Sequence, residues 1–105
     1  MPKLDASFKS LADSTRREIL YLLAVTPSGI PMNEISSHFS LSRQGTAKHI
    51  KTLKNAGLVE IKLEGRERKC YLNPLPLQSV MDWLEFYKPY WKEKISLLNS
   101  SAQSD

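Results

Sequence analysis

Cysteine, histidine and glycine are all scarce in this chain: Cys70 stands alone, His38 and His49 are the two histidines, and 105 residues hold four glycines. A single thiol excludes a disulfide framework, and no glycine-rich loop exists to cradle a nucleotide phosphate. No nucleophile has a partner base and no carboxylate pair is placed for acid–base work, so the chain is expected to carry no catalytic residue and no cofactor. Long apolar runs are missing as well. The longest, Ile19–Val25, is far too short to span a bilayer, and MPKLDASFKS lacks the apolar core of a signal peptide. The expectation is a cytoplasmic protein without a membrane partner, in which Cys70 stays reduced.

What is present fits an ordered protein: 41% of the residues are hydrophobic and 9% aromatic. The length suits one domain, here placed at 1–99, followed by a disordered tail, SSAQSD, at 100–105. The net charge of +4 is unevenly spread. Leu41 to Lys69 carries eight basic residues against three acidic, a net of +5, while the remainder carries seven against eight, a net of −1. One segment therefore holds the whole positive excess, either as a solvated helix face or as a surface for an anionic partner such as nucleic acid.

That segment overlaps Met32 to Val59, which reads as two short helices with a break at Ser40-Leu41-Ser42. Met32, Ile35 and Phe39 form the apolar stripe of the first. Ser42 is the expected N-cap of the second, which runs from Arg43 to the glycine stop at Gly57. Thr46, Ile50 and Leu53 share one face of it, and Arg43, Gln44, Lys48, Lys51 and Lys54 lie largely off that face. A helix-turn-helix of this kind places its second helix in the major groove of double-stranded DNA.

Upstream, Asp5 is expected to cap a first helix ending at Ala12, with Phe8 and Leu11 as its apolar contacts. Asp13 is expected to cap a second helix, Ser14 to about Val25, whose Ile19, Leu20, Leu22 and Leu23 give the broad apolar surface of a central core element. Thr26-Pro27-Ser28-Gly29 ends it, and Ile30-Pro31 leads into the helix-turn-helix. After Gly57 the pattern alternates through Val59, Ile61 and Leu63, breaks at Glu64-Gly65-Arg66-Glu67 and resumes at Lys69-Cys70-Tyr71-Leu72, a hairpin in the position of a wing. Arg66 and Arg68 flank its tip. They are candidates for phosphate or minor-groove contact, the alternative being that they balance Glu64 and Glu67 on a solvated turn.

A last helix is expected at about 76–99, with Leu77, Val80 or Met81, Leu84 and Tyr87 continuing into Trp91, Ile95 and Leu98 as one stripe. Such a stripe is longer than a small domain needs to cover itself, which implies a partner, most simply a second copy. The alternative folds Trp83, Tyr87 and Trp91 onto the domain's own core. Pro89 is expected to kink or split this helix near 85–88.

The strings LADSTRREILYLL, LSRQGTAKHIKTLKNAGLV and EGRERKCYLNPLPL, in this order, resemble the ArsR family of bacterial winged-helix repressors, over nearly the whole chain. MDWLEFYKPYWKEKISLL is further similar to the subgroup of SdpR-type autorepressors. The resemblance implies a mainly α winged helix-turn-helix with a small β-hairpin, acting as a homodimer joined by its first and last helices on an inverted repeat. It places base reading on Arg43, Gln44, Gly45, Ala47, Lys48 and His49, with Ser42 and Lys51 flanking, and wing contacts on Arg66 and Arg68. The implied dimer interface comprises Phe8 and Leu11 with Leu77, Met81, Leu84, Tyr87, Trp91, Ile95 and Leu98.

Two residues depart from the family pattern. Ala47 stands where many members have serine, and Gly45 lacks a side chain, leaving Arg43 and Gln44 with more of the reading, which suits guanine and adenine edges respectively. Metal sensing in this family uses paired cysteines where the chain has Ser36, Ser37 and His38, or Asp and His on the last helix, where Asp82 has no histidine beside it. Cys70 has no second thiolate, so no metal ligand is assigned. The expected function is transcriptional repression. The alternatives are a winged-helix protein-interaction module and a regulator controlled by a partner protein or small apolar ligand, the effector being unidentified.

Overall fold

The computed structural model describes residues 2–103. The chain runs through α1 (Pro2–Leu11), α2 (Ser14–Ala24), β1 (Ile30–Pro31), α3 (Met32–His38), α4 (Arg43–Asn55), β2 (Val59–Glu64), β3 (Glu67–Leu72), α5 (Leu75–Phe86) and α6 (Lys88–Gln103). It is mainly helical with a small antiparallel sheet, the expected architecture, with one strand more than expected. Ile30 pairs with Cys70 and Pro31 with Lys69, giving the order β1-β3-β2. A two-residue strand carries too little alternation to be legible in advance, and its proline, lacking an N–H, is confined to an edge.

α2 is central, as its broad apolar surface implied. Its Ile19, Leu20 and Leu23 are buried against Ile35 of α3, Ile50 and Leu53 of α4, and Leu58, Val59 and Cys70 of the wing. Burying such side chains contributes about 1.5–3 kcal/mol each, which makes this cluster the main stabilising element. Cys70 belongs to it from the middle strand, and burial pushes its thiol up to about 11, so it remains protonated at neutral pH.

The caps hold in two places and fail in one. Asp13 accepts a hydrogen bond from the Arg16 amide at 3.0 Å, and that bond holds its carboxyl below the usual carboxylate range. Ser42 Oγ accepts from the Gly45 amide at 2.9 Å. Asp5, however, is no cap: α1 begins at Pro2 and runs to Leu11, placing Asp5 within its first turn, where its charge still favours the positive helix end. The inward face of α1 also differs from the apolar pattern. Leu4, Ser7 and Ser10 are buried while Phe8 and Leu11 are half-buried, because small serines let this helix sit close to its neighbours.

Both helices of the helix-turn-helix close in the same way. At the end of α4 the Leu58 amide donates to Leu53 O and the Gly57 amide to Lys54 O, both at 2.9 Å, around Gly57 at φ +78°. α3 repeats the pattern, with the Leu41 amide on Ser36 O and the Ser40 amide on Ser37 O, but the left-handed residue is Ser40, at φ +53°. Gly65, at φ +63°, opens the two-residue turn Gly65-Arg66 between Glu64 and Glu67, a type II′ pattern that suits a tight hairpin.

The long last helix is split. α5 ends at Phe86, Tyr87 forms the break, and α6 carries Pro89 as its second residue, where a missing N–H costs no helical hydrogen bond. α6 extends to Gln103 instead of stopping near Asn99; of the expected tail at 100–105, residues 104 and 105 lie outside the described residues. α5 has no buried residue. Of the expected interface, Leu77 packs against the core, whereas Met81, Leu84, Tyr87, Trp91, Ile95 and Leu98 are exposed. The radius of gyration is 18.0 Å, well above the roughly 13 Å of a compact chain this long, because α5 and α6 reach outward.

Ser40 offers a direct check on this backbone. A left-handed residue with a Cβ costs about 1–2 kcal/mol, part of which glycine recovers after its own entropic penalty of roughly 0.5–1 kcal/mol. Ser40→Gly is expected to raise unfolding stability by about 0.5 kcal/mol or more, seen as a higher denaturant midpoint; a lower midpoint would contradict the assigned backbone.

Candidate nucleic-acid interface

On α4 the buried residues are Thr46, Ile50 and Leu53. At 3.6 residues per turn, the direction opposite to them is occupied by Gln44, Lys48 and Lys51, with Ala47 beside the row, and all four are exposed. Gly45 is half-buried under the cap, since a Cβ there would stand 3.1 Å from Ser42 Oγ. Ser42 is committed to capping. The free first-turn amides of α4 face outward with it and add a positive dipole end to the lysines.

Arg43 points elsewhere. Together with Met32, Asn33 and Ser36 of α3, Thr46 of α4, and Arg66, Glu67 and Arg68 of the hairpin, it lines an open cleft of about 520 Å³. Arginines from two regions far apart in sequence, Arg43 and the wing's Arg66 and Arg68, thus line one groove between the helix-turn-helix and the wing. Of the two acids beside the wing arginines, one is engaged elsewhere. Glu64 accepts a hydrogen bond from the Tyr71 hydroxyl, raising the Tyr71 pKa, and among the described residues neither Arg66 nor Arg68 forms an ion pair. Lys62 sits over the Tyr71 ring, 4.9 Å from its centroid. Glu67 remains as the one acidic wall of the cleft.

Such an arrangement suits a phosphate backbone entering the cleft while an exposed polar row addresses base edges. His49 does not join that row. It is half-buried on the flank of α4, and its Nδ1 lies 3.5 Å from Arg16 Nη1 of α2, away from the base-reading position that the resemblance implied.

Two polar links escaped the sequence reasoning. Ser36 Oγ donates to Thr46 Oγ1 at 2.7 Å, and Thr46 Oγ1 donates to Ser42 O at 2.9 Å, so a chain of hydroxyls joins α3 to the first turn of α4. Thr46 reads as an apolar-face residue and Ser36 as a missing metal thiolate; only i to i+10 pairing in three dimensions reveals their role. At the other end, Asn73 donates from Nδ2 to Gly57 O at 2.9 Å and from its amide to Leu58 O at 2.8 Å, fixing the exit of β3 to the end of α4. Among the described residues, no three of His, Cys, Asp and Glu cluster where a metal ion could be held.

Comparison with known proteins agrees with this geometry. Residues 13–60, from the cap of α2 into β2, match the family described as winged helix-turn-helix DNA-binding. The chain is 39% identical to the HTH-type transcriptional regulator YuzN of Bacillus subtilis, over 77% of this chain and 95% of that one. It is 31% identical to the transcriptional repressor SdpR of the same organism, over 73% of this chain and 83% of SdpR. Among solved structures, the ArsR-like transcriptional regulator from Rhodococcus sp. RHA1 superposes with a TM-score of 0.76 at 28% identity, covering 99% of this chain and 94% of the other.

The hydroxyl chain carries an ordering of effects. Thr46→Val removes the central hydroxyl from a buried site and is expected to cost about 1–2 kcal/mol of unfolding stability. Ser36→Ala is expected to cost less, because Thr46 keeps its bond to Ser42 O. Chemical denaturation of both variants checks the order, and equal or reversed losses would remove the chain from the account of how α4 is held.

Proposed function

The chain belongs to the winged helix-turn-helix transcriptional regulators of the ArsR family, and from that premise we propose that it is a repressor binding an inverted repeat in duplex DNA as a homodimer. The observation that carries this reading is the convergence of Arg43, Arg66 and Arg68 on one cleft beside the exposed row Gln44, Lys48 and Lys51. The arginines and lysines release counterions from phosphates and supply salt-dependent affinity; Gln44, Lys48 and Arg43 supply choice of sequence. Gly45 and Ala47 keep the helix surface low, allowing close approach without adding contacts of their own. His49 is left out of the reading set.

Dimerisation is the second half of the proposal. Residues 2–72 form the DNA-binding body, and α5 with α6 present Met81, Leu84, Tyr87, Trp91, Ile95 and Leu98 to a second copy, with Phe8 and Leu11 of α1 at the margin. A two-fold dimer sets its two α4 helices about one helical turn of DNA apart, roughly 34–36 Å, which is why the site is an inverted repeat. The released state then depends on an effector other than a metal, a small apolar ligand or a protein reaching the aromatic helices. Among the described residues no helix is long and apolar enough to cross a membrane, and we place the protein in the cytoplasm with its DNA. No catalytic step enters this reading.

The test is a gel shift and footprint on the DNA upstream of the chain's own gene, titrated with salt. Arg43→Ala with Lys48→Ala is expected to abolish the shift at moderate salt and to flatten the slope of log K against log salt by about 1 per lost phosphate contact, with unchanged mass in solution. A wild-type footprint without two-fold symmetry, or affinity indifferent to salt, would count decisively against the proposal.

A further inference from the structure

Arg16, near the start of α2, contributes to the positive charge of the chain but is mostly covered: its side chain is 18% exposed. Its Nε donates to Ser10 O at 2.8 Å and its Nη2 to Lys9 O at 3.0 Å. Its Nη1 lies 3.5 Å from His49 Nδ1 and 3.9 Å from Asp13 Oδ2. The two carbonyls belong to the last turn of α1, where Lys9 O also accepts from the Ala12 amide at 3.3 Å and where a cation meets the negative end of the helix. Arg17 takes the next carbonyl, Leu11 O, at 2.7 Å.

Capping α1 does not require an imidazole. The contact with His49 uses a nitrogen of Arg16 that faces away from α1, and a guanidinium can donate to Nδ1 only when that nitrogen keeps its lone pair. His49 directly follows Lys48 on α4, so a force on its ring acts on the rotation of the outward row about the helix axis. In that same last turn α1 is held to α5, with the Phe8 and Trp83 rings edge to face at 5.1 Å.

We propose that Arg16 is a positioning residue for DNA binding: it joins the C-terminus of α1 to His49 and thereby sets the rotation at which α4 presents Gln44, Lys48 and Lys51. This rests on the DNA-binding reading above. Arg16 itself touches no DNA, since its donors are engaged within the fold. It makes the setting of α1, and of the aromatic α5 that α1 carries, felt at the reading helix through a polar contact.

The experiment uses the full chain and a duplex enriched by the wild-type protein from a randomised pool, with affinity measured across salt concentrations and a thermal midpoint for every variant. His49→Phe keeps the ring and loses the acceptor; it is expected to weaken binding roughly two- to thirtyfold, the range for coupling residues, at an unchanged midpoint and unchanged salt slope. His49→Asn, whose Oδ1 takes the place of Nδ1, is expected to restore most of the affinity. Arg16→Ala is expected to weaken binding without flattening the salt slope, unlike Arg43→Ala, and the double variant Arg16→Ala/His49→Phe to bind no more weakly than Arg16→Ala. Additive losses, a slope flattened by about 0.9 in Arg16→Ala, or wild-type affinity in His49→Phe would each overturn the proposal. Should Arg16→Ala fail to fold, the contrast between His49→Phe and His49→Asn decides alone. A wild-type chain without salt-dependent binding overturns the DNA reading itself; a wild-type chain that binds no better than His49→Phe overturns this inference only.

Discussion

The left-handed turn at Gly57 is the constraint from which the rest of the geometry follows. It ends α4 and returns the chain so that Leu58 donates to Leu53 O and both side chains enter the core. The strand that follows therefore leaves α4 at a fixed angle, and Asn73, bonded to both Gly57 O and Leu58 O, brings the end of β3 back to the same corner. Helix and wing are thus two arms that leave one hydrogen-bonded, buried corner. A side chain at this backbone conformation would add strain of about 1–2 kcal/mol, comparable with a large fraction of a small domain's net stability. From that corner, Arg66 and Arg68 reach the same groove as Arg43 without any bond between them.

Charge is arranged around that corner so that it stays available. Positive residues that face the cleft make no ion pairs among the described residues, while Arg16, Arg17 and Glu64 are engaged with helix carbonyls, His49 and Tyr71. Cations used for structure are therefore distinct from cations left for a partner. The unpaired set carries self-repulsion, tolerable at the surface because water and salt screen it over about 10 Å. Within the cleft, where arginines approach from two elements, an entering phosphate would relieve repulsion as well as add attraction.

Much of this was legible because it is local. Ser42 and Gly57 mark the ends of α4 through the chemistry of one residue each, the alternation after Gly57 marks the hairpin, and Pro89 marks the split of the last helix. What escaped was either too short or not local. Ile30-Pro31 has no period to detect and becomes a strand only because β3 offers it a partner. Ser7 and Ser10 are inside α1 for their size, which an apolar pattern does not register, and Asp5 resembles a cap although the helix starts three residues earlier. The partners Ser36–Thr46 and Arg16–His49 are ten and thirty-three residues apart. Their pairing is a product of helix crossing, so the resemblance grouped His49 with the reading residues although its ring turns to Arg16.

The aromatic helices follow a different logic from the body. α2, α3 and α4 each bury residues against one another and are held by tertiary packing, whereas α5 buries none and contacts the body mainly through α1. A helix of 12 residues, α5's length, is marginal in water on propensity alone. The exposed faces of Met81, Leu84, Trp91 and Ile95 offer, at roughly 25 cal/mol per Å² of apolar area covered, the stabilisation that the single chain lacks. In the proposed dimer, ordering of α5 and α6 and association of two chains would be one equilibrium, and the stability of this half of the molecule would rise with protein concentration while that of the winged body would not.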